Sequence, residues 1–243
     1  MSVHPLPHTH DAAIPVFARW FGTWRVSVER RPLDARQLAR FYDAEAATWD
    51  SKLARLGVGV GYEQVLRQVF PRNHPVPEVL DAGIGTGALS VALSNVIDGS
   101  FYLSGVDLSA GMLARARERL GVPRCHLDLR QADMTALPYA DNSFDVVMTA
   151  HTLEHLHRPQ QAIRELVRVL RPGGMMVACV TQTSLLGAYI QVKWHTHRVS
   201  AQVGRRWLSE NGLTGVRVIP MAQGGGGLSR LSVAYVGWKG DTH

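Results

Sequence analysis

The stretch VLDAGIGTG, Val79 to Gly87, decides the fold. An apolar run carries one acid, Asp81, and glycine then recurs at every second position, Gly83, Gly85 and Gly87. Apolar residues running into a glycine cluster read as a buried strand that turns sharply. Without a Cβ the chain can take left-handed backbone angles, and its N–H groups can approach a ligand closely. The run GALSVALSNVI follows at once and reads as a helix, so the unit is strand, turn, helix, with a ligand expected at the turn. The glycine trio alone leaves the ligand open, because nicotinamide-dependent enzymes carry a similar one.

Working outward, FYLSGVDL (Phe101 to Leu108) is a second strand, and Asp107 stands twenty residues past Gly87. A carboxylate there can accept hydrogen bonds from both hydroxyls of a ribose. Ser109 caps the helix AGMLARARERL, whose Met112, Leu113, Ala116 and Leu120 share one face and which stops at Gly121. CHLDLRQADM (Cys125 to Met134) is a third strand, ending on a carboxylate for an adenine amino group and a methionine to cover the ring. FDVVMTAH (Phe144 to His151) is the fourth. Pro159 opens a helix with Ile163, Leu166, Val167 and Leu170 on one face, stopped at Gly173–Gly174, and GMMVACVT is the fifth strand.

The rhythm then changes. Ser200 to Asn211 reads as a helix with Val203, Trp207 and Leu208 inward, ended by Gly212. VRVIPM (Val216 to Met221) and LSVAYVGW (Leu231 to Trp238) follow with only a glycine-rich loop between them, so they must run antiparallel. That loop, Gly224 to Gly227, lacks a following helix and a P-loop lysine, and reads as a hairpin loop. The expected fold is α/β: a Rossmann-like seven-stranded sheet of five parallel strands and a C-terminal antiparallel hairpin, with helices on both faces. The terminal hairpin departs from the six-stranded dinucleotide arrangement and, with Asp107 and Asp133, turns the reading away from a nicotinamide.

Residues 1–34 read as a polar tail followed by an amphipathic helix over 13–31. Phe17, Trp20, Phe21, Trp24 and Val28 stand at helical spacing, with Arg19, Arg25, Arg30 and Arg31 nearby. Such a helix would pack on the domain, line a hydrophobic site, or make a peripheral contact with a membrane surface. Residues 35–75 carry two helical patterns broken around GVGVG (Gly57 to Gly61) and are expected to form a lid over the main domain, 76–243.

A chain of 243 residues, 46% of them hydrophobic, holds one well-buried core and an appendage. The longest apolar runs, such as GMMVACV, fall far short of the roughly 20 residues a membrane-spanning helix needs. No secretory leader pattern opens the chain, and Cys125 and Cys179 sit in apolar surroundings without metal or redox spacing, so the cytoplasm is the expected compartment. The net charge of +6 invites a nucleic-acid reading, but the basic residues are scattered rather than gathered on one face. Nothing in the pattern specifies an oligomer.

Four segments, VLDAGIGTG, GVDLSAGML, QADMTALPYADNSFDVV and ELVRVLRPGG, occur here in a telling order and spacing. In them the chain resembles the class I S-adenosylmethionine-dependent methyltransferases, and among these the branch typified by the ubiquinone/menaquinone-biosynthesis C-methyltransferases (UbiE-like). The resemblance covers Val79 to Gly174 closely, and FYDAEAATWD (Phe41 to Asp50) resembles the family's lid. It implies S-adenosylmethionine as cofactor. Gly83 and Gly85 would border its amino-acid part, Asp107 would hold the ribose, Leu108 and Met112 would flank adenine, and Asp133 with Met134 would fix the adenine edge. Tyr42 would close over the methionine end. Asp81 would either receive the ammonium or brace the turn. Trp49 stands where relatives commonly have tyrosine.

Methyl transfer needs a base only when the acceptor must lose a proton early. His151, at the carboxyl end of the fourth strand, is the catalytic candidate, with a structural or cofactor-contacting role as its rival. His151, Glu154 and His155 could approach one ion, but an E-H pair is a widespread structural element in this family and no metal is expected. No Asn/Asp-Pro-Pro-Tyr segment follows the fourth strand, which disfavours amide or nucleobase amino groups as acceptors. Acceptor identity should lie in the N-terminal helices, the lid and the insertion LLGAYIQVKWHTHRVSAQ, where Tyr189, Trp194 and His195 are the candidate substrate-binding residues. The expected activity is methylation of a small-molecule acceptor, lipophilic or aromatic. The alternatives are a lipid or amine head group, or a non-catalytic cofactor-binding regulator.

Overall fold

The computed structural model describes residues 14–30, 33–55, 57–70, 77–121, 125–156, 158–181, 199–221 and 232–240. The strand that precedes the glycine turn, β3 (Glu78–Ala82), is buried almost throughout, as expected of a central parallel strand covered on both faces. Beside it lie β4 (Phe101–Asp107) and β5 (Cys125–Gln131) on one side, and β6 (Phe144–Ala150) and β7 (Leu170–Thr181) on the other. These five are parallel, and β9 (Ser232–Lys239) then pairs antiparallel with β7 and with β8 (Leu213–Pro220). The spatial order is β5-β4-β3-β6-β7-β9-β8. The chain winds one way from β3 and the other way from β6, so a crevice opens beyond the carboxyl ends of these two neighbours.

Each face of the sheet buries its own apolar layer. On one face α2 (Val58–Val69), α3 (Ala88–Ser94) and α4 (Ala110–Leu120) cover Val79, Leu103, Val146 and Val177. On the other, α5 (Pro159–Val169) and the helix Ala201–Ser209, α6, cover Leu80, Val147, Met176 and Tyr235. Ser109 caps α4 as expected, its hydroxyl accepting from the Met112 N–H at 3.0 Å. In α6 Leu208 is buried, whereas Val203, read as inward, is exposed.

Besides β8, which begins at Leu213 rather than Val216, three features differ from the sequence reading. β7 begins at Leu170 rather than after Gly173–Gly174, because Pro172 disfavours helical angles at Arg171 and the segment extends to pair with Phe144. β5 ends at Gln131, so Asp133 and Met134 lie in the loop just past it. The third difference is larger. Residues 13–31 are not an amphipathic helix: Ile14–Phe21 (β1) and Trp24–Arg30 (β2) pair antiparallel as a separate two-stranded sheet. Gly22, with φ 60°, and Thr23 make the two-residue turn that a hairpin needs. Trp24, Val26 and Val28 alternate with Arg25, Ser27 and Glu29, a period of two that outweighs the looser helical spacing of the aromatics.

The two helices ahead of the sheet form as read. α1 (Ala35–Arg55) opens on a capping box in which Asp34 and Gln37 exchange hydrogen bonds of 3.0 and 2.8 Å. Gly57, at φ 64°, makes the break before α2. Gly59 and Gly61 fall inside that helix.

Candidate active site

The crevice is built around the turn after β3. Gly83, Gly85 and Gly87 all take positive φ (72°, 54° and 81°), as the turn demands. A Cβ on Gly83 would drive into the Thr152 side chain, whereas one on Gly85 would meet no atom within 4 Å and would project into space left for a ligand. The Gly85 N–H donates to Asp107 Oδ2 at 2.8 Å and the Ser109 N–H to Asp107 Oδ1 at 2.9 Å. Asp107 is thereby fixed at the end of β4. Burial raises its pKa, and the hydrogen bonds from Ser109, Gly85 and Leu108 oppose that rise.

One crevice of about 920 Å³, partly open to solvent, is lined by Tyr42, Asp81, Gly83, Gly85, Asp107, Leu108, Met112, Asp133, Met134 and His151. These are all the site residues expected from the sequence that the structure describes. Tyr189, Trp194 and His195 lie outside the described residues. Asp133 Oδ1 accepts from the Thr135 N–H at 2.8 Å and its hydroxyl at 2.7 Å, which pins the loop past β5. Asp81 is buried beneath the turn, its Oδ2 accepting from the Ser90 hydroxyl at 2.6 Å. Burial pushes its pKa up to about 7, with Ser90 pulling down and Asp107 adding to the rise.

Part of the crevice lining is aromatic. The Tyr42 hydroxyl meets His155 Nε2 at 2.8 Å, and its ring packs edge-on against Trp49 with centroids 5.3 Å apart. Tyr62, buried on α2, stands 6.2 Å from His151 ring to ring. Leu38 and Leu53 complete this wall from α1. Sequence reading passed over Tyr62, although the buried stripe of α2, Val58, Tyr62, Val65 and Leu66, contains a single hydroxyl and could have disclosed it.

The helix α1 is tied to the cofactor side by two carboxylates. Asp43 Oδ1 accepts from the Ser109 hydroxyl at 2.5 Å and the Gly111 N–H at 2.9 Å, capping α4 from outside. Asp50 accepts from Arg119 at 2.6 Å, and the same guanidinium nitrogen reaches Thr86 of the glycine turn at 3.2 Å.

His151 follows β6 in a left-handed backbone conformation, φ 53°, which is costly for a residue with a Cβ and recurs at functional sites. Its N–H donates to the Cys179 carbonyl at 2.8 Å. Its Nδ1 lies 3.1 Å from Thr181 Oγ1 and 3.3 Å from Glu154 Oε1.

A glycine cradle open to a ligand, one carboxylate at the end of β4 and another in the loop past β5, and aromatic and apolar side chains in the same lining fit a nucleoside with an amino-acid tail. The comparisons with known proteins agree. Residues 80–178 match the family model described as a methyltransferase domain. The geranyl diphosphate C-methyltransferase of Streptomyces coelicolor, solved with S-adenosyl-L-homocysteine, superposes with a TM-score of 0.59 at 16% identity, over 73% of this chain and 77% of that one. By this fold the protein carries a domain of the class I S-adenosylmethionine-dependent methyltransferase type.

Two curated relatives narrow the branch. The demethylmenaquinone methyltransferase of Mycobacterium marinum is 31% identical over 175 residues, 71% of each chain. That of Desulfitobacterium hafniense is 32% identical over 158 residues, covering 64% of this chain and 62% of the relative. The chain belongs to the UbiE-like branch of the class I S-adenosylmethionine-dependent methyltransferases. It spans about 62% of the length of the first relative. Among the described residues no helix is long and apolar enough to cross a membrane.

Proposed function

We propose that the protein transfers a methyl group from S-adenosylmethionine to a small, lipophilic, aromatic acceptor of the quinone type named in its relatives. The observation that carries this reading is a single crevice lined by the carboxylates Asp107 and Asp133, by the aromatic rings of Tyr42, Trp49 and Tyr62, and by His151. When bound, the cofactor supplies a methyl carbon on a positively charged sulfur that is a good leaving group. Asp107 would accept from the ribose hydroxyls and Asp133 from the adenine amino group. Met112 and Met134, both buried, would cover the ring, and Asp81 would face the ammonium. Tyr42 and Trp49 would exclude water from the transfer, and Tyr62 would stack against the acceptor. His151 would take the acceptor's proton as general base.

In the same reading residues 35–75 act as the lid over the catalytic domain 76–243. The segment 1–34 carries the hairpin, where Trp24 and Val26 are exposed beside Arg25 and are suited to touch a lipid surface holding a lipophilic acceptor. The cytoplasm suits a chain whose two cysteines are both free and buried.

The test is incubation with methyl-labelled S-adenosylmethionine and demethylmenaquinone, and in parallel with a fractionated cell extract, followed by mass identification of the labelled product. A labelled aromatic product is expected. Absence of cofactor binding at micromolar concentration, together with no effect of Asp107→Ala, would overturn the reading.

A further inference from the structure

The geometry points to Glu154 as a positioning residue that, with Thr181, fixes the tautomer of His151 so that Nε2 faces the crevice without a proton. The inference rests on the methyl-transfer reading and extends it to the residue behind the base.

Glu154 lies in a single turn of 3-10 helix, Leu153–His155, in an otherwise apolar setting, and its side chain is only 1% exposed. A carboxylate withdrawn from water so fully needs partners. Oε1 has two, the Thr181 N–H at 3.0 Å and His151 Nδ1 at 3.3 Å, while Oε2 is buried with no hydrogen-bond partner among the described residues. Burial alone would raise the Glu154 pKa. The hydrogen bond and charge of His151, the charge of His155 and the Thr181 N–H outweigh it, and hold the carboxyl below the ordinary range. Oε1 already receives the Thr181 N–H, so it stands as the acceptor atom of this contact.

That fixes the proton on the neighbouring ring. A bare Nδ1 would set its lone pair against the Glu154 oxygen, whereas Nδ1–H donates to it and to the Thr181 hydroxyl oxygen, which lies 3.1 Å away. In a neutral imidazole the other nitrogen is then bare. Since Nδ1 is turned towards buried Glu154 and the residue also lines the crevice, the Nε2 edge is the one presented to a ligand. A proton leaving an acceptor O–H or acidic C–H would pass to Nε2 with its electron pair left on the acceptor, and the imidazolium so formed would face the Glu154 anion. The groups placed against His151 are Tyr62 from α2, Glu154 from the 3-10 turn, and Cys179 and Thr181 from β7, with Asp81 and His155 lining the same crevice. Of these Glu154 and Thr181 are both buried and in direct contact with Nδ1, and Glu154 alone brings a carboxyl group to it. The left-handed backbone of His151 has a use in this setting, since it turns the ring back across the turn towards Glu154.

The test uses the full chain with 15N-labelled histidine and long-range 1H–15N correlation spectra at neutral pH, the signal of His151 among the 11 histidines being assigned by its loss in His151→Gln. The native chain should show His151 in the Nδ1–H form. Glu154→Gln should shift a substantial share of the ring to the Nε2–H form, and Thr181→Val, with the carboxylate kept, should shift much less. A native ring in the Nε2–H form, or a tautomer ratio unmoved by Glu154→Gln, overturns the inference. Should Glu154→Gln fail to fold, the native spectrum and Thr181→Val still decide it. Calorimetry with S-adenosylmethionine on the same native sample separates the two readings. No binding overturns methyl transfer itself, whereas binding with the wrong tautomer overturns only the role of Glu154.

Discussion

The two ends of the crevice are held in different ways. At the cofactor end the backbone does the holding. Three glycines with positive φ shape the turn, and the N–H groups of Gly85 and Ser109 lock Asp107. Around His151 and Tyr42 side chains hold side chains, Tyr42 on His155 and Glu154 on His151. The residues come from α1, α2, the loop after β6 and the end of β7. A backbone-built site tolerates little change and suits a ligand that stays the same. A side-chain-built site can be rebuilt by single substitutions, and suits the partner that varies among enzymes sharing one cofactor.

Substitutions at the two ends should therefore separate binding from turnover. The largest effect is expected for His151→Ala, with turnover falling about 10²- to 10⁴-fold while cofactor affinity by calorimetry stays within about twofold. Full turnover in this variant would remove the base from the acceptor end. Next comes Gly83→Val, which places a branched residue at φ 72° against Thr152. Strain and overpacking of about 1–3 kcal/mol each should weaken cofactor binding by about 30-fold or more. Unchanged binding would mean that the turn is not held by its backbone.

Asp81 offers a pH test between these extremes. Its folded pKa of about 7 means that an incoming ammonium must meet a carboxyl largely protonated below that value. Cofactor affinity should then rise by up to about tenfold per unit through the approach to pH 7 and level off above it, since one pKa unit is about 1.4 kcal/mol. The unliganded protein should behave in the opposite sense. A folded pKa raised above the unfolded one adds stability below the unfolded value, and that stability is lost as pH rises through about 7. Asp81→Asn should flatten both profiles in calorimetric and thermal-melt series. A slope that persists in Asp81→Asn would assign it to another group.

The smallest effect is expected for Tyr42→Phe. It removes one hydrogen bond, to His155, worth about 0.5–1.5 kcal/mol, and leaves the ring packing on Trp49. Cofactor dissociation in stopped flow should quicken by about 2- to 10-fold. A change at the level of Gly83→Val would show that α1 contributes as much as the turn, and the contrast between the two ends would fail.

What the sequence by itself determined is mostly what local chemistry dictates. Glycine at alternate positions requires a turn that only glycine tolerates, Ser109 can cap only the helix it precedes, and two strands with no crossover between them can only run antiparallel. Those three facts, with Asp107 and Asp133 at their spacings, led to the fold and away from a nicotinamide, and the resemblance to a methyltransferase family supplied the cofactor and the residue roles. Over residues 14–30 the aromatics stand at helical spacing while Trp24, Val26 and Val28 alternate with polar residues, and the hairpin won through a backbone turn at Gly22 and Thr23 that the spacing of side chains did not weigh. The acceptor end was decided by tertiary structure alone. Tyr42, Tyr62, His151, Glu154 and Thr181 are spread over 140 residues of chain, and no local pattern binds them together. Only the folded sheet brings a buried carboxylate behind a histidine at the mouth of the crevice. Burial and a shared proton are properties of that contact, absent from any residue taken singly.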